Sequence, residues 1–430
     1  MKELLVKIEV SGENKLVGRL FYNTYLDAIF KYDKYYMEGI GSVPISLSLQ
    51  FQDEPFTPWQ TKRFFEGLLP EGFTRRTVAQ WLQVPENDYI AILHGLGREC
   101  LGAIQIVDNN DNEKCGYDEL TLEEIKRLAN EGAEKSAEII IATHLSLAGA
   151  SGKVGLYREE NTGKWYLPKG LAPSTHIVKQ SHVRLKSLVA NEQLALMTAK
   201  KLGINVANSF IIDTGDKQDA DVLLASERYD RSFQGAKKTI NGLIIPLRLH
   251  QEDFSQALGI GAEDKYEKPG QQYLKKMFDV IYKNSTNPLA DSEELWKRIV
   301  FNYLIGNCDG HIKNSALLYS SNMNGIRLAP AYDIVSTVIY KPFRHNMSLY
   351  LAGECDLDRI NRETFSLAAK EVGLGPKKAM RIFDELVLRF PMALSESANS
   401  LAFEGFENMD VICNDILSLA GISHHNVIYP

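Results

Sequence analysis

The chain is poor in cysteine, and the few it has are not arranged for the work cysteine usually does. Five cysteines (Cys100, Cys115, Cys308, Cys355, Cys413) are scattered through 430 residues with no C-x-x-C pair. That argues against a disulfide framework or a zinc site and for a reducing compartment. Long apolar runs are also missing: nothing approaches the roughly 18 residues of a membrane span. The opening MKELLVKIEV lacks the apolar core of a signal peptide, so the expectation is a cytoplasmic protein with no membrane contact. Excess positive charge is absent too. Forty-eight Lys and Arg face 55 Asp and Glu, a net charge of −7, which excludes a surface that grips nucleic acid unaided. Any DNA contact would have to go through a partner. Repeats and low-complexity tracts do not occur.

What remains is ordinary globular composition, 44% hydrophobic and 24% charged, at a length that suggests two or three lobes. The most informative stretch is Phe301–Asp333. Leu295, Trp296, Ile299, Val300, Tyr303 and Leu304 recur at helical spacing. Gly306 and Asn307 end that helix, and the loop Asp309-Gly-His-Ile-Lys-Asn314 follows. Ser315–Tyr319 and Ile326–Ala329 read as two short strands joined by Asn324-Gly325, with Asp333 just beyond. Helix, D-x-x-x-x-N loop, hairpin and Asp make the order a phosphoryl-transfer site needs: an Asp takes the acceptor hydroxyl's proton, and an Asn and a second Asp hold Mg²⁺. A lone D-x-x-x-x-N would be only a helix end and a surface hairpin; the hairpin and second Asp together favour the metal–nucleotide reading.

The rest of the chain supplies candidate helpers. Residues 1–110 read as a small α+β unit. It has a hairpin of Leu4–Val10 with Leu16–Tyr22, a strand-like Val43–Phe51, and helices near Thr61–Leu69, Gly72–Leu82 and Asp88–His94. Arg75-Arg76 reads as a solvated face. Asp108–Asp118 is polar and acidic, a linker, and the capping box Thr121-x-x-Glu124 starts a helix expected to reach about Asn130. Thr143–Tyr157 is rich in small residues around Ser146 and Lys153. Small residues let backbone N–H groups approach phosphate, although neither the Walker nor the dinucleotide pattern is present, and taken alone the stretch reads better as a flexible hairpin turn. The strand His176–Lys179 ends in a lysine where a kinase keeps its phosphate lysine, or is simply an exposed strand end. Glu192, in the helix Leu188–Leu202, either pairs with Lys179 or complements the helix dipole. Strands over Val206–Asp213 and Asp221–Ala225 lead into Glu227-Arg-Tyr-Asp-Arg231, a hinge or a salt-bridge cluster. Helices are expected over Gln251–Leu258, Leu274–Lys283, Ser292–Asn307, Arg362–Val372, Pro376–Phe390, Ala393–Leu401 and Asn408–Leu419, with a strand at Met347–Leu351.

Seven blocks then stand in one order: Ser146-Leu-Ala-Gly-Ala150 with Lys153, Pro173–Lys179, Asn191-Glu192, Glu227–Arg231, Arg248–Asp253, Asn302–Gly306 with Asp309–Asn314, and Pro330–Asp333. In these the chain resembles the HipA-type serine/threonine kinases, the toxin halves of bacterial HipBA toxin–antitoxin systems, over nearly its whole length. The resemblance implies an α+β, two-lobed protein-kinase-like fold with an extra small N-terminal subdomain and a mostly helical C-terminal lobe. The expected divisions are 1–110, 111–235 and 236–430.

It also implies roles. Asp309 would be the catalytic base, and Asn314 and Asp333 would bind Mg²⁺. The loop Ala148, Gly149, Ala150, Ser151, Gly152, Lys153, together with Lys179, would hold the phosphates of ATP. Glu227, Arg228 and Tyr229 would cradle adenine, and His311, Lys313 and Tyr332 would lie near the nucleotide. Ser146 matches the serine whose autophosphorylation silences the family's kinases. The implied partners are a HipB-like helix-turn-helix antitoxin, DNA only through that antitoxin, and a protein substrate such as an aminoacyl-tRNA synthetase. The sequence departs from the family at Ser151-Gly152, where Gln-Glu is common, and in the short Gln180–Ala190. A small-molecule kinase, an inactive co-repressor scaffold and, more distantly, a metal-dependent hydrolase on Asp309, His311 and Asp333 are the alternatives.

Overall fold

The computed structural model describes residues 1–109, 114–143, 152–181, 185–340 and 345–419. Two compact units emerge. The first comprises Met1–Ser181, Ile212–Ala262 and Leu317–Ile326; the second comprises His182–Ile211, Glu263–Ala316 and Arg327–Pro430.

The two larger sheets belong mainly to the first unit. Lys2–Val10 (β1), Glu13–Tyr22 (β2), Ile29–Tyr32 (β3) and Ile104–Val107 (β4) form an antiparallel sheet in the order β3-β2-β1-β4. Leu4, Val6 and Ile8 alternate onto its buried face. The expected strand Val43–Phe51 does not form. Its polar groups have side-chain partners instead: Ser46 Oγ and the Leu47 N–H donate to the Glu252 carboxylate at 2.5 and 3.1 Å, and the Ile45 N–H donates to the Tyr32 hydroxyl at 3.0 Å. With those groups satisfied, a ladder gains nothing.

The second sheet contains Gly116–Glu119 (β5), Lys153–Arg158 (β6), Trp165–Lys169 (β7), His176–Gln180 (β8), Ser209–Asp213 (β9) and Val222–Glu227 (β10). Its order is β5-β7-β6-β8-β10-β9, of which β9 contributes Ile212 and Asp213 to this unit. β5 begins inside the stretch expected as a linker, Asp108–Asp118, and ends one residue beyond it. The Thr121–Glu124 capping box is present, with Glu124 N–H to Thr121 Oγ1 at 3.2 Å and Thr121 N–H to Glu124 Oε2 at 2.8 Å. Its helix runs on from Leu122 to Thr143 because apolar positions continue to be buried at Ile139 and Ile140.

The second unit is mainly helical: Leu188–Lys201, Tyr273–Asn284, Pro288–Ile305, Arg362–Glu371, Pro376–Phe403 and Met409–Leu419. Phe365 is the centre of its core, with ring centroids 5.8 Å from Trp296, 5.3 Å from Tyr303 and 4.7 Å from Phe383. Two helices expected either side of Pro391 are one. The stripe Phe383, Leu386, Val387, Phe390, Leu394, Ala398 and Leu401 stays buried across the proline, and that burial offsets the roughly 3 kcal/mol an internal proline costs. Gln251–Asp253, expected as helix, is strand, and Asp253 caps a helix limited to Phe254–Leu258. No helix among the described residues is long and apolar enough to cross a membrane.

Candidate active site

The second unit builds both ends of the stretch that the sequence singled out, Phe301–Ala316 and Arg327–Asp333. Asn287 caps helix Pro288–Ile305, and Leu295, Trp296, Ile299, Val300, Tyr303 and Leu304 are all buried along it. Gly306 ends it at φ +70°, donating its N–H to the carbonyls of Asn302 and Tyr303, the left-handed stop that glycine adopts without strain. A β-carbon there would also collide with the Val338 side chain. Gly306→Ala should therefore cost about 1–3 kcal/mol from strain and crowding, read as a lower thermal unfolding midpoint. An unchanged midpoint would contradict this account of the helix end.

The loop beyond Gly306 folds on itself through side chains. Asn307 donates to Asn302 Oδ1 at 3.1 Å and accepts the Asp309 N–H at 3.0 Å. Asn314 Nδ2 donates to the Asp309 carbonyl at 2.8 Å, and its N–H donates to the His311 carbonyl at 2.8 Å. The five-residue spacing thus brings Asn314 back beside Asp309. The Asp309 side chain remains 51% exposed, as a base that must reach an outside hydroxyl requires. His311 and Lys313 are buried, and the Tyr332 hydroxyl donates to the Lys313 carbonyl at 2.9 Å. Burial pushes the Cys308 thiol up to about 11, the opposite of a nucleophile's requirement.

Asp333 has φ +56°, rare outside glycine and a conformation that must be held by its surroundings. The chain is pinned on both sides of it. Before it, the Ala331 N–H donates to the Asn205 carbonyl at 2.8 Å, and the Ala331 carbonyl accepts the Ala207 N–H at 2.9 Å. After it, Asn191, fully buried on helix Leu188–Lys201, clamps both backbone groups of Ser336: its Nδ2 donates to the carbonyl at 2.9 Å and its Oδ1 accepts the N–H at 3.1 Å. Asp333 and Asn314 line one narrow cleft together with Asn302, Asn307 and Gly310. One carboxylate and neighbouring amide oxygens are hard donors of the kind Mg²⁺ takes while keeping several waters. The donor set fits that ion.

In the first unit, Lys153 and Lys179 are direct partners across β6 and β8, so both side chains lie on one face of the sheet. Each is buried. Gln180, on the other face, accepts from Ser136 of helix Leu122–Thr143 at 2.5 Å, so that helix covers the face opposite the lysines. Gly152 sits where any side chain would strike the Gln180 amide. Two ammonium groups opposite one another repel, so nearby negative charge stabilises the pair. Ser146, Ala148, Gly149, Ala150 and Ser151 lie outside the described residues.

The Arg228 side chain is held in an ion cluster. The Arg228 backbone N–H donates to the Thr175 carbonyl at 2.9 Å. Its guanidinium, fully buried, pairs with Glu99 at 3.0 Å and Asp230 at 2.7 Å. Arg231 joins the same two carboxylates at 2.8 and 3.1 Å, and Arg248 bonds Glu99 at 2.9 Å and Glu9 at 3.4 Å. Of the two sequence readings for Glu227–Arg231, the ion cluster describes the arginines; Glu227 stays exposed, and the Tyr229 hydroxyl bonds Gln251.

Comparison with known proteins assigns the family. The HipA-like C-terminal domain matches residues 145–394 and the HipA N-terminal domain matches residues 8–107. The chain belongs to the HipA family. It is 30% identical over 390 residues to Y4mE of Sinorhizobium fredii, named provisionally as a kinase, covering 88% of this chain and 89% of that one. It is 28% identical over 405 residues to the serine/threonine-protein kinase toxin HipA of Shewanella oneidensis, covering 90% and 88%. The solved structure of Shewanella oneidensis HipA with HipB and operator DNA superimposes with a TM-score of 0.76 at 23% identity over 96% of each chain, which shows that the α+β kinase-like fold is shared. The HipA blocks at Asp309–Asn314 and Pro330–Asp333 are therefore read within a kinase-toxin family.

Two elements of the site carry no sequence signal. Tyr266, in a stretch legible only as a loop, donates its hydroxyl to Asp309 Oδ1 at 2.6 Å from 43 residues away. Asn191 reads as half of a two-residue block, and nothing local marks it as the clamp on the segment after Asp333.

Proposed function

We propose that this HipA-family chain is an ATP- and Mg²⁺-dependent serine/threonine protein kinase that acts as a toxin in the cytoplasm. The observation that carries the reading is the loop in which Asn314 returns to Asp309 while sharing a cleft with Asp333. Asp309 accepts the acceptor hydroxyl's proton as general base. Asn314 and Asp333 hold Mg²⁺, which when bound neutralises charge on the transferring phosphoryl group. Lys153 and Lys179 meet the phosphates, with the small-residue loop Ala148–Gly152 giving backbone N–H groups. Glu227 and Tyr229 are left as the hinge contacts to adenine, and His311, Lys313 and Tyr332 support the loop.

By kinship with the Shewanella oneidensis complex, a HipB-like antitoxin is the expected partner, with DNA reached through it. The net charge of −7 agrees with indirect contact. A phosphoryl group on Ser146 would repel the phosphates of ATP and silence the enzyme. Mass-spectrometric phosphosite mapping after incubation with Mg²⁺ and ATP tests this. The expected result is phosphate on Ser146 and, in Ser146→Ala, activity that no longer declines with preincubation. A principal phosphosite elsewhere would remove the self-inhibition from the account. Absence of any ATP turnover would favour the scaffold alternative.

A further inference from the structure

The Tyr266–Asp309 contact has no part in the reading above. Tyr266 is 47% exposed, yet its position is fixed from both sides. Its ring stands edge-on to His311, centroids 5.2 Å apart at 84°. Its chain neighbour Glu267 is anchored by three backbone contacts: its carboxylate accepts the N–H groups of Tyr273 at 2.9 Å and Tyr350 at 2.8 Å, and its own N–H donates to the Ser348 carbonyl at 3.1 Å. The phenol O–H therefore reaches Asp309 Oδ1, at 2.6 Å, from an immobilised base. His311 Nε2 approaches the same oxygen at 4.0 Å.

We infer that Tyr266 is a positioning residue, resting on the kinase reading of Asp309: it fixes the plane and rotamer of that carboxylate by engaging Oδ1, so that the acceptor's proton goes to Oδ2. A half-exposed carboxylate on a loop otherwise samples several rotamers. A general base that is misplaced by an ångström loses much of its effect. A neutral phenol beside a carboxylate gives a short, charge-assisted hydrogen bond, stronger than a bond between neutral groups.

The test is Tyr266→Phe in the full chain, which keeps the ring against His311 and removes only the hydroxyl. With γ-labelled ATP and Mg²⁺, the first-order rate of self-phosphorylation is measured across ATP concentrations, and the affinity for a fluorescent ATP analogue is measured separately. The expected result is a limiting rate lowered about tenfold, with the half-saturating ATP concentration, analogue affinity and unfolding midpoint unchanged. A limiting rate equal to wild type would overturn the inference, and so would a faster one, which would make the tyrosine an obstruction. A rise in half-saturating ATP together with a lower unfolding midpoint would also overturn it, as a general structural effect. Failure of wild type itself to transfer label would instead count against the kinase reading.

Discussion

Replacing Glu99 by Gln should lower the stability of the first unit by about 3–5 kcal/mol, the range seen when one member of a buried ion network is removed. Glu99 is 1% exposed and is the carboxylate shared by Arg228, Arg231 and Arg248. With Glu9 and Asp230, three carboxylates balance three guanidinium groups. Gln keeps the shape but turns one acceptor oxygen into a donor facing arginine N–H groups, and leaves one buried positive charge in excess. The pH dependence carries a second signature. Burial alone would raise the Glu99 pKa, but the three arginines outweigh it and hold the carboxyl down at about 2, against an ordinary 4.5. A depressed folded-state pKa contributes stability that is present above about 4.5 and lost as pH falls toward 2. In Glu99→Gln that acid-side loss should be shallower than in wild type.

Glu252 works in the opposite sense. Burial pushes its carboxyl up to about 7 despite donors from Ser46, Tyr319 and Leu47, so its contribution is largest below about 4.5 and declines as pH rises through 7. Urea unfolding of both proteins from pH 3 to 8 would check the signs. An unchanged stability for Glu99→Gln would mean the network is not closed as described.

Replacing Asp309 by Asn should lower phosphoryl transfer about a hundred- to ten-thousandfold while leaving ATP binding and the unfolding midpoint close to wild type. A positioned general base contributes about 10²–10⁴ in rate, and the amide cannot accept the proton. The fold should tolerate the change because the loop is held by the Asp309 backbone rather than by its carboxylate: the carbonyl accepts from Asn314 and the N–H donates to Asn307. Burst kinetics with bound nucleotide would separate chemistry from binding. Wild-type turnover in this variant would remove Asp309 from its role.

Much of this arrangement was legible in the sequence because it is local. The stripe Leu295–Leu304, the glycine stop at Gly306 and the D-x-x-x-x-N return lie within 20 residues of one another, and periodicity and capping act at that range. Strand β8 and the helix Leu188–Lys201 were read for the same reason. What the sequence concealed depends on distant partners. Val43–Phe51 alternates like a strand, but Glu252 and Tyr32 take its polar groups. Pro391 reads as a break, but the buried stripe beneath it carries the helix through. Arg228 reads equally as hinge or ion pair, and the cluster that holds its side chain is completed by Glu99, 129 residues away. Tyr266 and Asn191 belong to the same class.

The most direct measurement is transfer of label from γ-labelled ATP to protein by the purified chain, with Mg²⁺ or with chelator, beside Asp309→Asn. The account predicts label on serine or threonine in the presence of Mg²⁺, none with chelator, and none in the variant. A folded wild-type chain that binds neither ATP nor Mg²⁺ and labels no protein would contradict it.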